Sequence, residues 1–311
     1  MDLAEIPVLS LEADREALPS LIGESFRRFG FAMVRDHGID RDLIDRAWGL
    51  TQAFFALPAE TKMKYRIPGQ GSARGYTPFR TEVAKGATEK DLKEFWHVGR
   101  DLPADSPLSA SMPPNVWPTE VEGFREIFSA LYAAFDKVGA ELLSAVAVDL
   151  GLDARWFDRA IEDGNSVLRL LHYPPVGLEA GGAIRAGAHE DINLITLLLG
   201  AEEAGLELLG KNGEWLSVAP PEGAMVVNIG DMLQRLTNHV LPSTTHRVRN
   251  PSGERAAHSR YSMPFFLHLR SDFRFVTLPQ CVSADNPDRY PQVITADDYL
   301  QERLREIGLI A

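Results

Sequence analysis

The chain has 311 residues, 45% of them hydrophobic and 24% charged, and carries a formal net charge of −12. That is enough length and apolar content for one large domain or two small ones around a real core. The acidic balance without a Lys/Arg block argues against a nucleic-acid partner, one cysteine excludes an internal disulfide or a cysteine-rich metal site, and no apolar run is long enough to span a bilayer.

The first residues, Met1 to Glu5, are acidic and lack the basic-then-apolar pattern of a secretory leader, so a cytoplasmic protein is expected. Ile6 to Leu11 alternates apolar and small residues with Pro7 near its start, and reads as a short edge strand. Leu18 to Phe29 has helical spacing and stops at Gly30. Phe31 to Val34 reads as a second strand, followed by a turn in which His37, before Gly38, is assigned a structural role. Asp40 is placed to cap a helix that turns Leu43, Ile44, Ala47, Trp48, Phe54 and Phe55 to a core and ends at Pro58. The loop from Gly69 to Thr81 holds Arg74-Gly75-Tyr76-Thr77-Pro78. It reads equally as a plain connection or as a recognition loop on a rigid scaffold. Lys93 to Val98 fits another strand.

Thr119 with Glu122 forms a capping-box pattern. Phe124, Ile127, Phe128, Leu131, Phe135, Val138, Leu142 and Val146 then recur at helical spacing up to Gly151. This predicts the longest helix, lying along the outside of a sheet. From Ser166 the texture becomes stranded: 167–173, 192–199, 206–209, 214–218, 225–228, 245–249 and 260–268, separated by Gly, Pro and Asn turns. Such a series indicates a sandwich or jelly-roll barrel, and the helices have its sheet to cover. Thr295 caps a closing helix that ends near Gly308.

The chemistry is concentrated in Gly187-Ala188-His189-Glu190-Asp191-Ile192-Asn193. On an extended strand His189 and Asp191 face the same side, because i and i+2 do. An imidazole and a carboxylate so placed supply two ligands of a divalent metal site. His239, His246 and His258 compete for the third position. His246 is preferred, since it sits in a strand-like context, whereas His239 fits a turn and His258 a polar loop. Two His and one carboxylate on one side of a metal leave the other side open, as in non-haem Fe(II) oxygenases; hydrolytic Zn(II) sites use the same ligand types. Arg260 and Ser262 again share a strand face, and a guanidinium beside a hydroxyl suits a carboxylate. Asn193 shares the face of Asp191 and either orients a ligand, touches a substrate or faces solvent. Asp231 is read as turn-forming.

This order of motifs resembles the isopenicillin N synthase-like branch of the 2-oxoglutarate- and Fe(II)-dependent oxygenases. The Gly30 to Val34 run with His37-Gly38-Ile39 and the Ser243-x-x-His246-Arg247-Val248 context add to the resemblance. It implies an α+β chain with a double-stranded β-helix (jelly-roll) core and flanking helices. The whole of 1–311 would be a single oxygenase domain: a mainly helical part over 1–165, the jelly-roll core with the metal site over 166–275, and a carboxyl-terminal segment over 276–311. It further implies Fe(II) on His189, Asp191 and His246, and 2-oxoglutarate on Arg260, Ser262 and Tyr173. O2 would be consumed, succinate and CO2 released, and a small molecule hydroxylated or desaturated, with no catalytic residue beyond the metal centre. Arg74, Tyr76, Phe95, His97 and Asn193 are the candidate substrate contacts. Two alternatives share the fold: an oxoacid-independent oxidase in which Arg260 and Ser262 hold the substrate's own carboxylate, and a catalytically silent binding protein. Substrate identity and oligomeric state are not written in these motifs.

Overall fold

The computed structural model describes residues 5–68, 73–83, 89–103, 105–175, 184–199, 205–251 and 253–306. The first half contains β1 (Val8–Ser10), α1 (Leu18–Phe29), β2 (Phe31–Arg35), α2 (Arg41–Phe55), α3 (Ala59–Met63), β3 (Gly75–Thr77) and β4 (Glu94–Gly99). After these come α4 (Phe124–Asp149), α5 (Asp158–Ile161), β5 (Val167–Tyr173), β6 (Ala186–His189), β7 (Ile195–Leu199), β8 (Leu206–Leu209) and β9 (Trp215–Ser217). The chain closes with β10 (Met225–Ile229), α6 (Asp231–Leu236), β11 (His246–Val248), β12 (Arg260–Leu267) and α7 (Ala296–Glu306).

Two sheets form the jelly roll. The larger runs β1-β2-β10-β7-β12-β5-β4-β3 and the smaller β6-β11-β8-β9. Alternation on the strands decides what each face meets. Ile195, Leu197, Met225, Val227, Met263, Phe265, Leu168, Leu170, Trp96 and Val98 enter the main core with the buried stripes of α1, α2 and α4. The intervening residues face the smaller sheet. Their register aligns them in rows across the strands: Asn228, Thr196, Phe266, Val167 and Gly99 form one, and Arg169 stands opposite His97 in the next. A second core, including Phe31, Met33, Leu206, Leu208 and Val248, closes one part of the space between the sheets. No helix among the described residues is long and apolar enough to cross a membrane.

Several local expectations are corrected. The longest helix starts at Phe124, with Gly123 in the left-handed region (φ 78°) ahead of it and without a side-chain cap. Thr119 is engaged elsewhere, its N–H donating to Tyr65 Oη at 3.0 Å. The stretch 187–193 is not one strand: β6 ends at His189, and Asp191 lies in the bend before β7. Part of the loop read over 69–81 pairs with β4 as β3, and its residues 69–72 lie outside the described ones, as does Gly308. The six-residue α6 is too short to announce itself by periodicity. Thr295 caps α7 reciprocally with Asp298, through Asp298 N–H to Thr295 Oγ1 (3.0 Å) and Thr295 N–H to Asp298 Oδ2 (3.1 Å).

Candidate active site

His189 and His246 are cross-strand partners at the ends of β6 and β11, with ring centroids 4.4 Å apart. Asp191 completes the group. Its carboxylate oxygens lie 3.8 Å from the Nε2 of each imidazole, and one ligand atom from each of the three residues lies within 4.8 Å of the others. Both rings are oriented by main-chain carbonyls: Nδ1 of His189 donates to Gly187 O (2.7 Å) and Nδ1 of His246 to Thr244 O (3.1 Å). That fixes the tautomer and leaves each Nε2 as an electron-pair donor toward the centre. Phe31 packs edge-on against His246.

Asp191 reaches this point although no strand carries it. Thr196 Oγ1 (2.6 Å) and Asn228 Nδ2 (2.8 Å) both donate to its Oδ2, and these two residues are direct cross-strand partners. Oδ1 is left for a metal. The main chain of the bend is held by the opening of α6. Gly230 N–H donates to Leu194 O, Asp231 N–H to Asp191 O at 2.7 Å, and Met232 N–H to Asn193 O. Amides that a helix start would leave unpaired are thereby used to pin the loop. Gly230 is required there, because a Cβ would stand 2.1 Å from Asn193 O.

The electrostatics suit a cation. Burial pushes Asp191 up, but the two imidazoles and the Asn228 and Thr196 hydrogen bonds hold it below the usual carboxylate range. Burial and the neighbouring His246 lower His189 to about 4, so it is a neutral ligand at ordinary pH. Three donors of this kind fit Fe(II), with one side of the ion left open. His268 lies close enough to feel Asp191, and burial lowers it to about 4 from 6.5. Between those values the unfolded chain binds more protons than the folded one, so stability should fall as pH drops from about 6.5 to about 4. His268→Gln should flatten that slope, removing on the order of 3 kcal/mol at most of the loss summed across the window. Denaturant midpoints of metal-free protein across this range measure it, and an unaltered slope in the variant would show that another group titrates.

Beside the triad lies a cavity of about 660 Å³, walled by both sheets and roofed in part by α7 through Leu300, Gln301 and Leu304. Arg74, His97 and Asn193 line it, as do His189 and Asp191. Asn193 is buried, not solvent-facing; its Nδ2 donates to Ile195 O (2.8 Å) and Thr196 Oγ1 (3.1 Å), so it braces the residue that orients Asp191. Phe95 and Tyr76 are not among the lining residues. Phe95 shares the face of His97 but is covered there, packing with Leu171 and Tyr173 and under the Arg169 guanidinium, 4.2 Å from its ring. Tyr76 pairs with Trp96, which turns it to the helix-covered face, where its hydroxyl donates to Glu94.

Arg260 and Tyr173 are direct partners on β12 and β5, with the guanidinium carbon 5.1 Å from the ring centroid. Ser262 follows on the same face, and all three are buried. A buried chain of charge, absent from the sequence expectations, forms another wall. Lys93 Nζ bridges Glu82 and Asp91 at 2.9 Å each, Arg169 grips Glu82 at 3.2 Å through two nitrogens, and Arg169 Nε donates to His97 Nε2 at 2.6 Å. Burial pushes Glu82 up, yet Arg169 and Lys93 hold it well below the carboxylate range. Asp91 Oδ1 also accepts from Gly187 N–H (3.0 Å), which ties this chain to the carbonyl that orients His189. Strand alternation could have put Arg169 on the face of Tyr173. Nothing in the sequence brings Glu82 and Asp91 to it.

Two family models match the chain. Residues 4–120 match the amino-terminal region described as that of a non-haem dioxygenase in morphine synthesis, and residues 164–269 match the 2OG-Fe(II) oxygenase superfamily. A 2-oxoglutarate-Fe(II) type oxidoreductase of Emericella nidulans is 34% identical over 295 residues, covering 92% of this chain and 83% of that protein. A crystal structure from Caulobacter crescentus, assigned to the 2OG-Fe(II) oxygenase family, superposes with a TM-score of 0.91 at 54% identity, covering 97% and 99% of the two chains. A Neurospora crassa protein crystallised in complex with alpha-KG and thymine gives a TM-score of 0.85 at 29% identity, with 98% of each chain covered.

Proposed function

The chain belongs to the 2OG-Fe(II) oxygenase superfamily and is a 2-oxoglutarate- and Fe(II)-dependent dioxygenase, and on that premise we propose which of its residues do the work. His189, Asp191 and His246 hold the iron. Arg260, Ser262 and Tyr173 hold the far carboxylate of 2-oxoglutarate. The cavity beside them takes a small molecule whose C–H bond is hydroxylated or desaturated. The observation that carries this reading is the triad itself, in which two imidazole Nε2 atoms and one carboxylate oxygen converge beside a cavity while their other atoms are held by hydrogen bonds.

When bound, the iron would activate O2, which is the oxidant; the oxoacid, losing CO2 to become succinate, and the substrate's C–H bond would supply the electrons that reduce it. The protein's part is positional. Thr196 and Asn228 fix the carboxylate, the carbonyls of Gly187 and Thr244 fix the rings, and the paired charges of Glu82, Lys93 and Arg169 give the wall polarity while offsetting one another. The oxoacid-independent and silent-binder alternatives are not favoured, since similar structures hold alpha-KG.

Anaerobic titration of the Fe(II) protein with 2-oxoglutarate should produce a visible charge-transfer band, and aerobic turnover should yield succinate in step with oxygen uptake. Full turnover of an identified substrate without added oxoacid would sink the assignment. We further propose that 1–311 acts as one unit, because α1, α2 and α4 cover the sheet whose opposite face carries the site. A stable, iron-binding proteolytic fragment lacking the residues before Ser166 would contradict that.

A further inference from the structure

Arg74 stands out among the cations of the cavity. Lys93 and Arg169 are neutralised by Glu82 and Asp91, and Arg303 by Glu306. Arg74 is 2% exposed and has no carboxylate within ion-pair distance among the described residues. Its Nη1 donates to the carbonyl of its neighbour Ala73 at 2.7 Å, while Nε and Nη2 are buried without an acceptor. Asp101, the carboxylate that acts on it at longer range, is exposed and engaged by Asn115 Nδ2 at 2.8 Å. An unpaired guanidinium inside a protein is costly.

The local structure is built to keep it there. The guanidinium lies flat over Gly99 on β4, where a Cβ would stand 1.9 Å from Arg74 Cζ. Asn115 locks the backbone beneath, accepting from Gly99 N–H (2.7 Å) and donating to Gly99 O (2.8 Å). Nε–H and the adjacent Nη2–H point the same way, the edge of the fork that takes both oxygens of one carboxylate.

Resting on the oxygenase reading above, we propose that Arg74 is the specificity anchor for the substrate, and that the substrate is an elongated organic acid whose carboxylate pairs with Arg74 Nε and Nη2. A neutral carbonyl would satisfy one hydrogen bond but leave the buried charge uncompensated. Thr196, which orients Asp191, and Gly99 stand in one row with β12 and β5 between them. Three inter-strand steps make that roughly 14 Å. Acid group and reacting carbon therefore sit toward opposite ends of the cavity, and the shortest acids do not bridge them. Both nitrogens are closed off from water in this form, so binding entails a small turn of the guanidinium on its Gly99 seat, toward the cavity that Arg74 already lines.

The test uses full-length protein loaded with Zn(II) as a redox-inert ion and saturated with 2-oxoglutarate, titrated calorimetrically with acetate, hexanoate, 4-phenylbutyrate and their primary amides. The wild type should bind the longer acids at least about tenfold more tightly than their amides, as a charge-assisted pair requires. Arg74→Met should abolish that preference without lowering Tm, because it removes an unpaired buried charge; a purely structural arginine would destabilise the fold when lost. Gly99→Ala keeps Arg74 but displaces its guanidinium, and should lose the preference as well. An acid preference that survives both substitutions, or is absent in the wild type, overturns the proposal. Failure of the wild type to bind 2-oxoglutarate would instead strike at the oxygenase reading, which the other outcomes leave standing.

Discussion

His246→Ala is expected to abolish stoichiometric Fe(II) binding and, with it, 2-oxoglutarate turnover, while His239→Ala leaves both near wild type. The two histidines are close in sequence, yet their surroundings differ in kind. His246 faces His189 across a strand pair, with its Nε2 3.8 Å from Asp191. His239 has a left-handed backbone (φ 66°) and spends its Nε2 on Tyr290 Oη at 2.5 Å. Groups that merely orient ligands contribute about ten- to hundredfold in metal affinity, so losing a ligand should exceed that. Thr196→Val and Asn228→Ala should fall within that smaller range, since each removes one hydrogen bond from Asp191 Oδ2. Equilibrium dialysis of iron checks the whole series. Full iron binding by the His246 variant would mean that the third ligand had been misassigned.

Arg260→Lys should weaken 2-oxoglutarate binding about ten- to hundredfold, the loss of one charge-assisted hydrogen bond of roughly 1.5–3 kcal/mol. The dianion chelated at one end must bury a second carboxylate, and leaving it unpaired would be costly. A guanidinium offers two parallel N–H groups in a fixed plane, where an ammonium offers a point charge. Tyr173, opposite Arg260 in the strand register, keeps that plane in place with its ring. The effect should appear in the concentration of 2-oxoglutarate required and not in iron affinity, because Arg260 takes no part in the triad. An equal loss of iron and oxoacid binding would point to a collapsed site in place of a lost contact.

The local chemistry of this protein was legible in its sequence. Spacing of one residue between His189 and Asp191 marks the first pair of the triad, and the same spacing marks Arg260 and Ser262, the pair we propose for the oxoacid. Gly30 and Asp40 announce helix ends because a left-handed stop and a side-chain cap depend on neighbouring residues alone. The seven-residue strand 167–173 is legible too, its alternation being a property of the backbone. Tertiary structure decided everything that depends on partners far along the chain. Asp191 is aimed by Thr196, Asn228 and the start of α6, not by the strand its spacing suggests. Tyr76 was removed from the cavity because its register with Trp96 fixes the face it occupies. Glu82, Asp91, Lys93 and Arg169 became one buried charge chain, and Arg74 came to rest on Gly99. A strand's period says which residues share a face, but only sheet register and packing say what that face meets, and burial then sets the charge each group can hold.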